Sequence, residues 1–402
     1  MTAKSRQLPI DALKVIAAQF IVLHHLSAYG PVADTLRQSA PVLMGWLYDY
    51  ARMAVQIFLV IGGYLAAASL APGGKPKHHH SPLQAVIKRY RRLVLPCLVA
   101  LLLAVASAAL TRQWLSDDFI PTAPTWAQSV AHVFLLQGVL DKEALTAGVW
   151  YVAIDFQLFV LMTLLVWLGQ RQHRTANADP AIGPGLAQTV VLGLVVSLML
   201  ASLFFFNRDP TWDNWAIYFF GAYGMGAAAF WAGGSRRPAL YLGVLAITGG
   251  LALALEFRER IALALAVALT LGLWHWGRTT TPSSSLFHRS SPLNPSFPRR
   301  RESSLAASLD SRLRGNDGYQ LSDLRHIAVP PVLTRLVYRL GQSSYALFLV
   351  HFPVLMLGNA LFAKLGLSSP VAAAWVMLAC WTTSLALAQA FERWVEAPLA
   401  RY

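Results

Sequence analysis

Long runs of apolar residues recur along the whole chain and are separated by shorter polar segments. Most of these runs approach the roughly 20 residues that an α-helix needs to cross the hydrocarbon core of a bilayer. The pattern therefore predicts an all-α polytopic membrane protein with about ten transmembrane helices. The predicted spans are 14–30, 53–71, 93–111, 148–169, 186–206, 214–232, 239–256, 261–277, 340–362 and 370–390.

The basic residues are distributed unevenly between the loops. With ten crossings, about three quarters of the 33 Lys and Arg residues fall on the side of the N-terminus. Because cytoplasmic loops carry an excess of Lys and Arg, this asymmetry predicts that both termini are cytoplasmic. The formal net charge of +14 does not indicate a nucleic-acid partner, since the charges lie between apolar spans. The expected partner is the lipid bilayer.

Composition agrees with a single membrane domain over residues 1–402. Hydrophobic residues make up 56% of the chain and charged residues only 13%, against about a quarter in soluble domains. Residues 278–331 are rich in Ser, Pro and Arg, which predicts a disordered basic cytoplasmic loop within that domain. The apolar segment 126–140 is too short to span comfortably and is expected to be re-entrant or interfacial, with His132 as a packing residue.

The first predicted span contains ionisable residues, which are costly in a bilayer and normally face a protein interior or a polar cavity. Lys14 and His25 are eleven residues apart, so on a helix they share one face and are separated by about 16 Å along the axis. This arrangement indicates a site that reaches through the bilayer. Alternatively, Lys14 snorkels to the headgroups and the histidine approaches the opposite interface.

Two later spans also contain ionisable residues. Asp155 lies about five residues inside its span and needs a partner there. It could orient His25, stabilise the imidazolium or pair with an arginine, and a purely structural ion pair is a further alternative. His351 lies about eleven residues from the predicted start of its span, a depth similar to that of His25. The sequence thus predicts that the two histidines share a cavity.

Motifs spread over nearly the whole chain resemble those of acyltransferase family 3, membrane proteins that transfer acyl groups to sugars and other acceptors. The resemblance rests on Asp11, Leu13, Ile16, Ala17, Ala18, Val22, Leu23 and His25; on Val55, Phe58, Val60, Gly63 and Leu65; on Arg89, Arg92 and Pro96; on Trp150, Ala153, Asp155 and Gln157; on Leu340, Gly341, Ser344, Tyr345, Leu347, Leu349, Val350, His351, Phe352 and Pro353; and on Glu396 and Pro398.

The chain departs from the family pattern at several of these motifs. Lys14 replaces the usual arginine, which keeps the charge but loses the bidentate guanidinium. Gln56 replaces an aspartate, and Gly62 a serine. These departures raise the alternative that the chain is an inactive sensor with the same fold.

The resemblance implies an O-acyltransferase of the bacterial inner membrane. Its donor would be a cytoplasmic acyl-CoA, with acetyl-CoA expected, and its acceptor a hydroxyl of a glycan or lipid-linked sugar. No metal is expected.

The resemblance also assigns the candidate site residues. The catalytic candidates are His25, as general base or transient acyl carrier, with Asp155 and His351 orienting it or the acceptor. Lys14, Arg89 and Arg92 would hold the phosphates of the donor. For the two arginines, positive-inside anchoring or anionic-lipid contact is the alternative.

A membrane transporter or flippase is a rival from another class, because intramembrane His, Asp and Lys residues suit a proton relay as well. Internal repeats, which transporters often contain, are not evident in the sequence. Consumption of a thioester separates the acyltransferase from both alternatives. The sequence leaves the oligomeric state open.

Overall fold

The structure, a computed structural model, describes residues 8–75, 81–176, 186–280 and 331–400. The described residues form helices and connecting turns, with no strand among them. The α-helices are α1 (Leu8–Ala28), α2 (Gly30–Ser39), α3 (Pro41–Tyr50), α4 (Val55–Leu70), α5 (Pro82–Thr111), α6 (Trp126–Val133), α7 (Val149–Ala176), α8 (Leu186–Phe204), α9 (Ala216–Gly233), α10 (Pro238–Leu255), α11 (Glu259–Thr279), α12 (Pro331–Gln342), α13 (Ser344–Lys364), α14 (Pro370–Phe391) and α15 (Ala397–Leu399).

The described ranges contain nine helices that are long and apolar enough to cross a membrane. They confirm the predicted all-α polytopic membrane protein. Among the ten predicted spans, 214–232 corresponds to α9, which has transmembrane length but falls outside the nine. Its Gly, Tyr and Trp residues lower the hydropathy of a helix that is almost completely buried. Most of the predicted linker 278–331 lies outside the described residues, as 281–330 are not among them.

Helices α4 and α9 pack backbone to backbone at the centre of the protein. A Cβ atom added at Gly63 would collide with the carbonyl group of Tyr223, and one at Gly226 would collide with the carbonyl group of Val60. Small residues at such a crossing allow the close approach that stabilises helix pairs in membranes. Gly63, the glycine that matches the family motif in the second span, therefore has a packing role.

The helices α1 and α13 position the candidate site. Helix α1 packs against α3, α12 and α13, and α13 packs against α5 and α14. The helix α13, which corresponds to the predicted span 340–362, begins only at Ser344, because Pro331–Gln342 forms a separate helix, α12. Gly341, near its end, faces Asp11 of α1, where an added Cβ would lie 3.1 Å from the Asp11 Cβ. Gly341 thus permits α12 to pack tightly on α1.

Candidate active site

His25 lies near the C-terminal end of α1 and lines a cavity of about 410 Å³. Its side chain is only 7% exposed. The cavity is formed by α1, the start of α4, the segment between α5 and α7, and α13. Its lining residues are Ile21, His24, His25, Tyr29, Arg52, Val55, Phe119, Pro121, Glu143, Ala144, Ala147, Trp150, Phe348 and Phe352.

The two predicted histidines are in direct contact. The Nδ1 atom of His25 lies 2.6 Å from the Nε2 atom of His351, which is a hydrogen-bond distance. Their ring planes differ by 5° and their centroids are 4.9 Å apart. The prediction that both histidines line one cavity is wrong, because His351 is buried and is not part of the cavity wall. Its imidazole lies behind that of His25.

The surrounding hydrogen bonds determine the tautomers of the neutral pair. The Nδ1 atom of His351 lies 3.0 Å from the carbonyl oxygen of Leu347, one turn earlier in α13. Since a carbonyl oxygen only accepts, Nδ1 of His351 carries the proton and its Nε2 is an acceptor. His25 must therefore donate from Nδ1. Its Nε2 atom retains a lone pair and makes no hydrogen bond to the described residues.

Side-chain hydrogen bonds fix α1 against its neighbours. Gly30, with φ of +81°, begins α2 directly after α1, and Asn359 of α13 sits against it. The Asn359 Oδ1 atom accepts from the backbone nitrogen of Val32 at 3.0 Å. Deeper in α1, Gln19 accepts from the indole nitrogen of Trp381 at 2.8 Å. The first contact holds the start of α2 against α13, and the second holds α1 against α14.

Asp155 of α7 is paired with an arginine rather than a histidine. Its Oδ2 atom lies 2.6 Å from Nη2 of Arg89 on α5. The side chain of Asp155 is 8% exposed and that of Arg89 29%. The ring contacts of His25 come from its α1 neighbours and from α13, and Asp155 is not among its hydrogen-bond partners. Of the roles expected for Asp155, the geometry favours pairing with an arginine over orienting His25.

The surroundings of Asp155 also explain why glycine replaces the usual serine at position 62. A Cβ atom at Gly62 would lie 3.4 Å from Oδ1 of Asp155 and 3.1 Å from the ring of Tyr223. The missing side chain therefore leaves the room that the Asp155 carboxylate and the tyrosine ring occupy.

Lys14 lies at the other end of α1, with its Nζ atom 3.9 Å from Oδ1 of Asp11. It also interacts electrostatically with Arg92, Arg89 and Glu396. Lys14 is thus within electrostatic range of both arginines that are predicted to bind the donor. The Oε2 atom of Glu396 is buried and has no hydrogen-bond partner among the described residues.

His132 has the structural role expected of it. Outside the spans, on α6, it is buried, and burial lowers the pKa of its imidazole. The neutral ring donates from Nδ1 to the carbonyl oxygen of Gln128 at 2.8 Å. Its Nε2 accepts from the backbone nitrogen of Leu145 at 3.1 Å. The Nδ1 bond therefore stays within α6, and the Nε2 bond ties α6 to the segment that follows it and borders the cavity.

Sequence reasoning did not single out several residues that line the cavity beside His25. Arg52 and Glu143 supply charge, while Tyr29 and Phe119 supply aromatic surface, with ring centroids 5.9 Å apart. Glu143 and Phe119 lie in the connection between α5 and α7, where no periodic pattern connects them to the site. Arg52 lies just before the family motif that begins at Val55. This position is the one feature of the sequence that could have identified Arg52 as a site residue.

Comparison with known protein families decides the family of the chain. The acyltransferase 3 family model, described as an acyltransferase domain, matches residues 8–390. The chain belongs to acyltransferase family 3. Searches of curated proteins and of solved structures found no significant match.

Membership of acyltransferase family 3 makes the protein a membrane acyltransferase with several transmembrane helices. The match extends from the start of α1 to the end of α14, so it includes His25, the arginines of α5, Asp155 and His351. The transporter alternative is not supported by this result. In this acyltransferase, the cavity lined by His25 is the candidate place of acyl transfer.

Proposed function

We propose that the protein is an O-acyltransferase that moves an acyl group, expected to be acetyl, from acyl-CoA to a hydroxyl of an exported or cell-surface glycan. The observation that carries this proposal is the arrangement of His25. Its Nδ1 proton is directed to His351, and its Nε2 lone pair is left for the cavity. An imidazole in this state is suited to remove a proton from a hydroxyl, because its ordinary pKa lies near neutrality.

In the proposed reaction, Nε2 of His25 takes the proton of the acceptor hydroxyl as the oxygen attacks the thioester carbonyl. A carbon–oxygen bond forms and, when the tetrahedral intermediate collapses, the carbon–sulfur bond breaks. The thiolate leaves with the electron pair of that bond and receives the proton from His25, which gives free CoA thiol and an acyl ester. The hydrogen bond to His351 holds the imidazole in the required tautomer, as a positioning residue does in related catalytic arrangements.

An acyl-histidine route uses the same geometry. There Nε2 attacks the thioester carbonyl, the carbon–sulfur bond breaks and CoA leaves as the thiolate, so that the acyl group is held on the imidazolium. The acceptor hydroxyl then attacks the acyl group, the carbon–nitrogen bond breaks, and the hydroxyl proton ends on the CoA thiolate, which gives the acyl ester, free CoA thiol and neutral His25. The two routes differ in whether the protein carries an acyl group when no acceptor is present. Labelling with radioactive acetyl-CoA, followed by recovery of labelled protein, separates them.

For the donor, we assign Lys14, Arg89 and Arg92 to its phosphate groups. The electrostatic proximity of Lys14 to both arginines supports a common anionic ligand. In this assignment Asp155 holds the Arg89 guanidinium in place through the 2.6 Å ion pair. With the topology predicted from the basic residues, these groups lie towards the cytoplasm and the His25 cavity towards the opposite side, in a bacterial inner membrane.

The decisive experiment measures release of free CoA thiol by purified protein. Acetyl-CoA is supplied with a panel of soluble and lipid-linked glycans, and the His25→Ala variant is assayed in parallel. Acceptor-dependent thiol release that disappears in the variant supports the proposal. Full activity of His25→Ala, in a monodisperse preparation, contradicts the role of His25. His24→Ala serves as a neighbouring comparison, because His24 also lines the cavity but does not contact His351.

A further inference from the structure

A second cavity of about 690 Å³ lies next to the one that His25 lines. The two cavities share three wall residues: Arg52, Val55 and Trp150. The second cavity is otherwise bounded by the segment before α9, the first turn of α9 and the turn between α10 and α11. Its lining residues are Arg52, Met53, Val55, Gln56, Trp150, Asp213, Asn214, Tyr218, Phe219, Phe257, Arg258, Glu259 and Arg260.

Three arginines line this cavity without a carboxylate at ion-pair distance. The ion pairs of the described residues do not include Arg52, Arg258 or Arg260. Arg208, which precedes the wall residue Asp213 in the chain, does have a carboxylate partner. Its Nε atom lies 2.6 Å from Oε2 of Glu256. That hydrogen bond lowers the pKa of the Glu256 carboxyl, so the charge of Arg208 is compensated. The three arginines of the wall keep an excess of positive charge over Asp213 and Glu259.

Arg258 is a fixed part of the wall. It is only 8% exposed, its Nη1 atom donates to Oδ1 of Asn207 at 2.8 Å, and its Nη2 atom donates to the carbonyl oxygen of Leu203 at 2.9 Å. Asn207 is in turn held by the carbonyl oxygen of Tyr218 at 3.0 Å. The Nε atom of Arg258 is buried and has no acceptor among the described residues. Glu256 interacts electrostatically with Arg258, but its hydrogen bond is to Arg208. Because a buried cation needs hydrogen-bonded compensation of its charge, an anionic ligand fits this cavity.

The other side of the cavity offers aromatic surface. The rings of Trp150 and Phe219 are 5.8 Å apart with 36° between their planes, and both line the cavity. Ligand sites commonly combine such apolar surface with a few placed polar groups. The apolar face of a sugar ring can pack on the indole of Trp150, which faces both cavities.

We propose that the second cavity binds a phosphate or carboxylate group of the sugar acceptor, so that the acceptor is an anionic glycan. Arg52 and Arg260 contact the anion, and Arg258 supplies fixed positive charge. The sugar extends past Arg52, Val55 and Trp150 and presents its hydroxyl to Nε2 of His25. This inference rests on the proposed function, since it names the class of acceptor for the same reaction.

Isothermal titration calorimetry on the purified full chain tests the anion site without catalysis. The probes are glucose 1-phosphate, glucuronate, glucose and inorganic phosphate. The proteins are the wild type, Arg52→Gln, Arg260→Gln and the control Lys142→Gln, whose exposed side chain lines neither cavity. We expect each arginine variant to bind the anionic sugars about tenfold more weakly, because it loses one charge-assisted hydrogen bond. The affinity of the control variant should equal that of the wild type.

The probes also identify the anion. Tighter binding of glucose 1-phosphate than of glucuronate assigns a phosphate, and the reverse order assigns a carboxylate. Binding of inorganic phosphate alone, without preference for either anionic sugar, contradicts a sugar site. Equal affinity for glucose and the anionic sugars, no binding of any anion by the wild type, or unchanged affinity in both arginine variants overturns the proposal.

Thiol release measured on the same preparations separates this proposal from the one on which it rests. Protein that binds the anionic sugars through these arginines and releases no thiol with any acceptor contradicts the transferase reaction, while the anion site stands. Protein that releases thiol with neutral and anionic glycans equally, and whose arginine variants keep the wild-type KM for the acceptor, contradicts the anion site alone.

Discussion

The Nδ1 atom of His25 lies 2.6 Å from the Nε2 atom of His351, although the two residues are more than 300 positions apart in the chain. Helices α1 and α13 bring them together, and the carbonyl oxygen of Leu347 determines which nitrogen of His351 carries the proton. The contact therefore orients one ring and selects its tautomer.

Removal of the His351 imidazole should lower kcat and leave KM for acetyl-CoA nearly unchanged. In His351→Ala, Nδ1 of His25 loses its acceptor, so the other tautomer and other ring orientations become populated. At metal sites, loss of the group that orients a ligand histidine costs about 10- to 100-fold in affinity or activity, and we expect a loss of that order in kcat here. His351→Gln offers an amide oxygen as acceptor and should recover part of the rate. Steady-state thiol release measures both constants, and equal rates for the alanine variant and the wild type would contradict the positioning role.

Breaking the pair between Arg89 and Asp155 should destabilise the fold. Asp155→Ala leaves the Arg89 guanidinium without its counter-charge, which costs about 3 kcal/mol, the lower end for a buried pair because Arg89 keeps 29% exposure. Thermal unfolding in detergent should show a lower Tm. Asp155→Glu keeps the carboxylate and is the matched control.

The double variant Arg89→Ala and Asp155→Ala refines this prediction. Its loss of stability should be smaller than the sum of the two single losses, because the unpaired charge is absent. Additive losses would show that the two residues do not depend on each other. Thiol release by the Asp155→Glu protein tests whether the donor site tolerates the longer side chain.

A side chain at the crossing of α4 and α9 should prevent normal packing. In Gly63→Ala the new methyl group meets the carbonyl group of Tyr223, which belongs to a helix backbone and cannot move aside. We expect a large loss of monodisperse protein after detergent extraction. In the control Gly243→Ala on α10, the methyl group meets nothing within 4 Å, and alanine favours the helix by about 1 kcal/mol. A normal yield of Gly63→Ala would contradict the close crossing.

Deletion of residues Pro292 to Gly318 should leave membrane insertion and extraction intact. The composition of this stretch is that of a linker, and the topology is predicted from the flanking spans. Size-exclusion profiles of the deleted and full-length chains provide the comparison. Aggregation of the deleted chain alone would show that the segment contributes to folding.

Sequence was sufficient for the fold class and for the meeting of His25 with His351. The length of each apolar run identifies the spans. Because few ionisable residues lie inside the spans, each of them has few possible partners there. The partner of Asp155 was left among several alternatives, because the rotation of α5 and α7 about their axes is set by packing. The same limit applies to Arg52, Glu143 and the second cavity, which are formed by turns that no periodic pattern describes.

The hydrogen bond from His351 to Leu347 also has a consequence for proton movement. A proton passed from His25 to Nε2 of His351 would have to leave through Nδ1, and the group beyond it is a peptide carbonyl, which does not hold a proton. The His25–His351 pair therefore cannot pass a proton further into the protein. In the proposed reaction the proton taken from the acceptor instead leaves on the uncharged CoA thiol. Because no proton moves alone through the protein, we expect the proton transfers of this route to be independent of the voltage across the membrane.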